Sequence, residues 1–264
     1  MRIQTITDLR KIEHYLKKDY YLHLYGLGDL DSPFCKHTTW FAAMENDEIK
    51  AIALLYTGLT LPTFLALTSP KSTEMELLLE TIAGHLPKKL YGHLTGGLDN
   101  TMRNFFKLES HGKHFKMGLL KTGIIEKEDT SPVERLTLED IDEIMQLYEL
   151  SYPGHWFESH MLQTGHYYGI WNNHRLISVA GVHVYSPRYN VAALGNITTH
   201  PKWRGKGLGT KVTAHLCKEL MKSVEYIGLN VKCDNSSAIN CYRNLGFEIT
   251  HEYHEFMAQS ISGF

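Results

Sequence analysis

The sequence predicts an α/β protein of alternating strands and helices, laid out as two similar halves of one 264-residue chain. Three observations carry this. A strand pattern over Asn190–Thr199 runs into a glycine-rich turn, and then into a helix whose Leu208, Val212, Leu216 and Leu220 form one apolar stripe. A second strand, Tyr226–Cys233, precedes a short helix that Asn235 or Ser236 can cap and Gly246 can end. A comparable order of elements is readable earlier in the chain.

In the first half, Thr7 precedes Leu9, Ile12 and Leu16, an amphipathic helix. A helical piece, Tyr20–Leu27, follows. Trp40–Met44 and Ile49–Tyr56 flank Asn46-Asp47, a hairpin signal. Thr63–Thr68 reads as a strand, Ser72–Ala83 as a helix, Leu90–Leu94 as a strand, Asn100–Leu108 as a short helix and Phe115–Leu120 as the close. The solvated run Glu126–Asp129 within 123–132 reads as a linker, dividing the chain into residues 1–125 and 126–264.

The order then repeats. Thr137 with Asp140 makes a capping pattern for a helix whose Ile141, Ile144, Met145 and Tyr148 share a face. Tyr152-Pro153-Gly154 breaks it. Strands Tyr167–Trp171 and Arg175–Tyr185 flank a turn at Asn172-Asn173, and Phe247–His251 and Glu255–Ala258 finish the sheet. Short echoes support duplication: Leu67–Lys71 with Thr199–Lys202, and Asp99-Asn100 with Asp234-Asn235.

Composition narrows the function. Apolar content of 43% and charged content of 21% are those of a globular protein. A net charge of −2 without a basic run speaks against nucleic-acid or anionic-membrane partners. The uncharged run Ala51–Pro70 contains Gly58 and Pro62 and reads as two strands with a turn, not a membrane span. Cys35, Cys217, Cys233 and Cys241 form no regular frame, which suits a reducing, cytoplasmic compartment. The close histidine pairs, His111/His114 and His251/His254, have no third ligand nearby in sequence, so no metal site is expected.

The chemistry concentrates at residues 204–210. Gly205, Gly207 and Gly209, flanked by Arg204 and Lys206, let the backbone turn at a helix N-terminus, where free amides and the helix dipole favour an anion. The spacing fails the Walker loop, because Gly205 is not followed by four residues and then Gly-Lys-Ser/Thr. It also fails the dinucleotide fingerprint, giving G-x-G-x-G.

What fits is Arg-x-x-Gly-x-Gly at Arg204, Gly207 and Gly209, which resembles the pyrophosphate loop of the GCN5-related N-acetyltransferases (GNAT). Asn235-x-x-Ala238-x-x-x-Tyr242 followed by Leu245-Gly246-Phe247 resembles the superfamily's other signature segment. Gly195-Asn196-Ile197-Thr198-Thr199 is most similar to the glycine-N-acyltransferase-like branch.

The resemblance implies a GNAT fold, a mixed and mostly antiparallel sheet flanked by helices, in two tandem halves with the first degenerate. It implies acetyl-CoA as co-substrate and an N-acetyltransferase acting by direct attack of a primary amine in a ternary complex. The amides of Arg204, Gly205, Lys206, Gly207, Leu208, Gly209 and Thr210 would hold the pyrophosphate, with Arg204 and Lys206 adding charge. Ile197, Thr198 and Thr199 would lie along the pantetheine arm on a bulged strand, and the amide of Ile197 or its neighbour would meet the thioester oxygen. Asn235 would bond the cofactor, and Tyr242 would protonate the leaving thiolate.

His155, Glu158 and His183 are candidate bases. The aromatic run at Tyr152–Phe157 lies where the family lines its acceptor pocket. In the first half, Ser72-Thr73-Glu74-Met75-Glu76 has carboxylates where the loop has glycines, and Phe105 and Phe106 stand near the tyrosine's place. Two other readings stand beside the enzyme: a sensor that keeps acyl-CoA without turning it over, and a transferase of longer acyl groups.

Overall fold

The computed structural model describes residues 1–68 and 72–261. The echo expected at Leu67–Lys71 therefore lies partly outside the described residues. The chain divides into two compact units, Met1–Lys116 together with residues 250 onward, and Met117–Ile249.

In the first unit the strands are β1 (Arg2–Ile6), β2 (Thr38–Glu45), β3 (Glu48–Tyr56), β4 (Thr63–Ala66) and β5 (Lys89–Leu94), with β6 (Phe106–Leu119) following in the chain. The order is β1-β2-β3-β4-β5, and residues 254–259 of the final strand add antiparallel to β5. Only β4 with β5 is parallel in this run, as its crossover through a helix requires. Helices are α1 (Leu9–Leu16), α2 (Tyr20–Asp29), α3 (Thr73–Ile82) and α4 (Leu98–Met102).

The β2–β3 turn is the expected one. Asn46 and Asp47 both take positive φ, 49° and 65°, the conformation that matches hairpin twist. Asp8, rather than Thr7, caps α1 by accepting from the amides of Arg10 and Lys11. Met75, Leu78, Leu79 and Ile82 of α3 are buried with Phe64, Leu90 and Phe256 in one apolar cluster. Each such side chain contributes about 1.5–3 kcal/mol when fully buried.

The second unit repeats the plan with β7 (Glu134–Arg135), α5 (Ile141–Ser151), β8 (Tyr168–Asn172), β9 (Arg175–Ser186), β10 (Val191–Thr199), α6 (Leu208–Leu220), β11 (Tyr226–Lys232) and α7 (Ser236–Asn244). Its order is β7-β8-β9-β10-β11, antiparallel except for β10 with β11. The capping box at Thr137 and Asp140 forms as read, at the head of a 3-10 turn leading into α5. Val212, Leu216 and Leu220 of α6 are fully buried, the stripe that the sequence shows.

Several expectations move. Asn100–Leu108 is not a helix throughout: α4 ends at Met102, and Phe106–Leu108 begin β6. The hairpin turn after β8 sits at Asn173-His174, which carry the positive φ angles. Phe247–His251 and Glu255–Ala258 are one continuous strand, β12 (Phe247–Ser260). Among the described residues no helix is long and apolar enough to cross a membrane, and Ala51–Ala66 is strand, turn and strand.

Candidate active site

The second unit holds an irregular strand at its centre. The β9–β10 register passes from Gly195 opposite Gly181 to Thr198 opposite Val179, so β10 carries one extra residue between them. That is a bulge, and Asn196 makes it with a φ of 54°, a left-handed conformation that asparagine tolerates. A second shift, between Ala193 and Leu194, leaves His183 as the extra residue on β9. Gly195 makes room for it, since a Cβ there would come 2.3 Å from His183 Nε2.

Beyond the bulge β10 parts from its other neighbour. Pairing with β11 runs from Val191/Tyr226 to Leu194/Leu229 and stops, although the strands continue to Thr199 and Lys232. Thr199 and its neighbours are held from the β9 side. The Ser178 hydroxyl lies 2.8 Å from Thr199 Oγ1 and donates to the Thr198 carbonyl at 3.3 Å. The result is a stretch at 195–199 that is not paired with β11, an edge which can receive an extended ligand as an added strand.

The chain then enters the glycine turn. Gly205 and Gly207 have φ of 76° and 75°, and a Cβ at either would meet nothing within 4 Å. Gly207 is the N-cap of α6, and no side chain caps the helix. The first bonded amide is that of Lys211, donating to the Gly207 carbonyl at 3.0 Å. The amides of Gly205, Lys206, Gly207, Leu208, Gly209 and Thr210 donate to no described group. Six unsatisfied donors at a helix N-terminus form an anion cradle.

The two cations of the turn have protein partners. Arg204 donates from Nε to the Thr199 carbonyl and from Nη2 to the Ser151 carbonyl, each at 3.1 Å. Its guanidinium thus fastens the turn to the end of β10 and of α5. Lys206 Nζ lies 4.3 Å from the centre of the Trp203 ring.

On α7, Asn235 Oδ1 accepts from the Ala238 amide at 3.1 Å, the cap read from the sequence. This leaves its side-chain NH2 for other work. Tyr242 is 8% exposed and its ring packs 5.9 Å from that of Phe247. Its hydroxyl makes no hydrogen bond to the described residues. Burial, with smaller contributions from Cys241 and Tyr152, raises its pKa, so the phenol stays protonated at neutral pH.

The aromatic loop joins the bulge. The Tyr148 hydroxyl donates to the Asn196 carbonyl at 2.8 Å, and His155 stacks on the Tyr148 ring at 4.7 Å. The Phe157 amide donates to His155 Nδ1 at 3.2 Å, so the neutral imidazole carries its proton on Nε2. In that tautomer it donates and is no base. Glu158 pairs with His160 at 3.1 Å. Burial lowers the pKa of His183, which is therefore neutral beside the bulge.

Among its described residues the first unit lacks these features. Strand β4 runs evenly along β5 from Thr63/Tyr91 to Ala66/Leu94, and the bonding continues from the Thr95 amide to the Ala66 carbonyl at 3.2 Å. Ser72 Oγ caps α3 by accepting from the Met75 amide, and Glu74 and Glu76 occupy its first turn. Among the described residues, no group of three His, Cys, Asp or Glu is placed to hold a metal.

Sequence reasoning missed Asn196, Tyr148, Tyr167 and Ser178 as the residues that shape the bulge. The signal available was a lone asparagine in an apolar strand directly after Gly195.

A parallel strand pair joined through a glycine-capped helix, with a bulge and a splay beside it, defines the GNAT class of α+β fold. The segment 134–247 matches the model of the acetyltransferase (GNAT) family. The whole chain resembles solved structures from end to end. A Drosophila protein has a TM-score of 0.70 at 12% identity, with 97% of each chain covered. An acetyltransferase of the GNAT family from Colwellia psychrerythraea has a TM-score of 0.59 at 14% identity, covering 97% of this chain and 99% of that one. A tandem GNAT protein from the clavulanic acid biosynthesis pathway gives 0.56 at 12% identity, with all of both chains covered. At such identities the likeness establishes the fold, a tandem GNAT arrangement. No curated protein matches the sequence.

Proposed function

We propose that the chain is an acetyl-CoA-dependent N-acetyltransferase, with residues 126–264 carrying the chemistry and residues 1–125 a copy without the cofactor site. The observation that carries this is the run of unpartnered amides at Gly205–Thr210 beside the unpaired edge of β10. Acetyl-CoA would supply the activated acyl group. The amides of Gly205–Thr210 hold the pyrophosphate, strengthened by the dipole of α6, whereas the Arg204 amide expected with them donates to the Pro201 carbonyl at 3.4 Å. Ile197, Thr198 and Thr199 hold the pantetheine arm along the open strand edge, and Asn235 bonds it through its NH2 group.

The Ile197 amide stabilises the oxyanion that forms as the amine attacks. Tyr242, kept neutral by burial, offers its proton to the departing thiolate. A thiol near about 8.5 is more acidic than this phenol, so the hydroxyl acts chiefly by a strong hydrogen bond to the developing charge. His183, neutral and beside the bulge, is the base this geometry favours among His155, Glu158 and His183. The Gly195–Thr199 wording favours the glycine-N-acyltransferase-like branch, and the four free cysteines fit a cytoplasmic setting.

The test is thiol release from acetyl-CoA with a panel of primary amines, beside calorimetric titration of acetyl-CoA. Saturable binding with release for at least one amine is expected. The absence of a carboxylate among the described hydrogen-bond partners of the bulge favours one second reading, an acyl-CoA sensor. Binding without release for any amine would establish that reading instead. Comparison of acetyl-, succinyl- and benzoyl-CoA separates the longer-acyl alternative.

A further inference from the structure

The bulge is tied to the aromatic loop through one side chain. Asn196 is 2% exposed, and its amide group has partners on both faces. Oδ1 accepts from the Trp156 amide at 3.3 Å, and Nδ2 donates to the Tyr167 hydroxyl at 3.0 Å. That hydroxyl donates in turn to the Val182 carbonyl on β9 at 3.1 Å, beside the other bulged position. The Asn196 carbonyl takes the Tyr148 hydroxyl, whose ring carries His155. One residue thus supplies the left-handed turn that makes the bulge and the acceptor that holds residues 152–157 against it.

These two roles are chemically separable. The turn needs only a residue at ease with positive φ, which glycine is. The hold on the loop needs the side-chain oxygen. Nothing in strand pairing demands a buried amide at this position, and a buried polar group persists only when its bonds are made. Trp156 itself is 44% exposed, and the buried ring of the loop is that of Phe157, packed against Tyr148 and Tyr167.

We propose that Asn196 is a positioning residue that latches the loop Tyr152–Phe157 to the transfer strand, so that the amine is presented at a fixed place relative to the Ile197 amide. This rests on the reading of the bulge as the site of acyl transfer. Losing the latch leaves cofactor binding intact and loosens the acceptor side, together with His183, whose ring also bonds the Asn196 side chain.

The experiment compares wild type, Asn196→Gly and Asn196→Asp by hydrogen exchange at the Trp156 amide, titration with acetyl-CoA, and transfer to the amines of the panel. Glycine keeps the turn and removes the latch. Aspartate keeps an oxygen for the Trp156 amide and tolerates the same backbone. In Asn196→Gly, Trp156 should exchange about tenfold faster and transfer should fall about tenfold in kcat/KM for the amine, the scale of one lost hydrogen bond. The acetyl-CoA Kd should stay within about twofold, and Asn196→Asp should restore the Trp156 protection.

Unchanged exchange in Asn196→Gly overturns the latch. A Kd for acetyl-CoA that worsens in step with transfer overturns it too, by making Asn196 a residue of the bulge alone. If no amine is acetylated, the exchange comparison decides. A wild-type protein that binds no acetyl-CoA fails the functional reading, an outcome distinct from either.

Discussion

Gly207 stands at the head of α6 with φ of 75° and open space where a side chain would go. A substitution there is tolerated by packing and felt by the ligand. Gly207→Glu adds a carboxylate where a pyrophosphate would rest, so calorimetry should show acetyl-CoA binding lost while circular dichroism remains native. An unchanged Kd would remove the cradle from the site. Tyr242→Phe deletes a hydroxyl that has no hydrogen-bond partner among the described residues, and the ring can keep its place against Phe247. Turnover should therefore fall about 10²-fold or more, the scale of a lost general acid, with acetyl-CoA affinity nearly constant. A matching loss of affinity would mark Tyr242 as a packing residue. Gly195 differs from Gly207, because its missing Cβ is occupied by the His183 ring. Gly195→Ala forces that ring or the strand to move and should cost about 1–3 kcal/mol in urea unfolding.

At the scale of elements, α7 shows why parts of the fold were legible. Asn235 caps it, and Gly246 follows its end with φ of 93° and a missing Cβ that would sit 2.2 Å from the Lys121 carbonyl oxygen. The Leu120 and Lys121 amides both donate to the Gly246 carbonyl at 3.1 Å. Gly246→Ala thus meets backbone as well as a left-handed φ, and the melting temperature should drop far more than for Asn235→Ala, which loses about 0.5–2 kcal/mol. Equal shifts would contradict this. Signals of this kind are local, and so the hairpin at Asn46-Asp47, the stripe on α6 and both ends of α7 could be read from sequence. The misses have a common cause in long-range pairing. Strand β1 is largely polar, and Ile6 is its one buried residue. The middle of β6 holds no buried residue, only exposed and half-buried ones, which hides its continuity between Phe106 and Leu119. Charged and polar residues within β12 split it into two apparent strands. The bulge at Asn196 depends on its register with β9, which no window of β10 contains. The glycine loop and the Asn235–Tyr242 spacing were readable because each sits within one continuous segment.

At the scale of the whole molecule, duplication has given the two units the same plan and different polar interiors. The first unit, with no glycine cradle among its described residues, buries a titratable network. Glu255 accepts from the hydroxyls of Tyr91 at 2.5 Å and Tyr253 at 2.7 Å, with His93 and His114 at 3.6 and 3.5 Å. Burial raises its pKa, but the histidines and the hydroxyl donors outweigh it and bring the carboxyl below its ordinary value. His93 is pushed down to about 4, by burial first and against the pull of Glu255, and His23 to about 3, again by burial. For both histidines the unfolded chain takes up protons near pH 6.5 while the folded chain does not, so their contribution to stability is complete above that pH and is lost as pH falls toward 4. Asp29 acts in the opposite sense, since burial raises its carboxyl to about 7 and the folded chain holds that proton first. These two histidines and Asp29 together leave a net loss of about one proton, or about 1.4 kcal/mol per pH unit, between roughly pH 6 and 4, and His166, His183 and His215, which burial also lowers, act in the same direction. Urea midpoints at pH 7.5, 6 and 5 should therefore decline for the wild type. They should decline less for His93→Gln, which keeps a hydrogen-bonding group near Glu255 and has nothing to titrate. Parallel declines for the two proteins would show that the buried imidazole of β5 is not what makes the fold sensitive to acid.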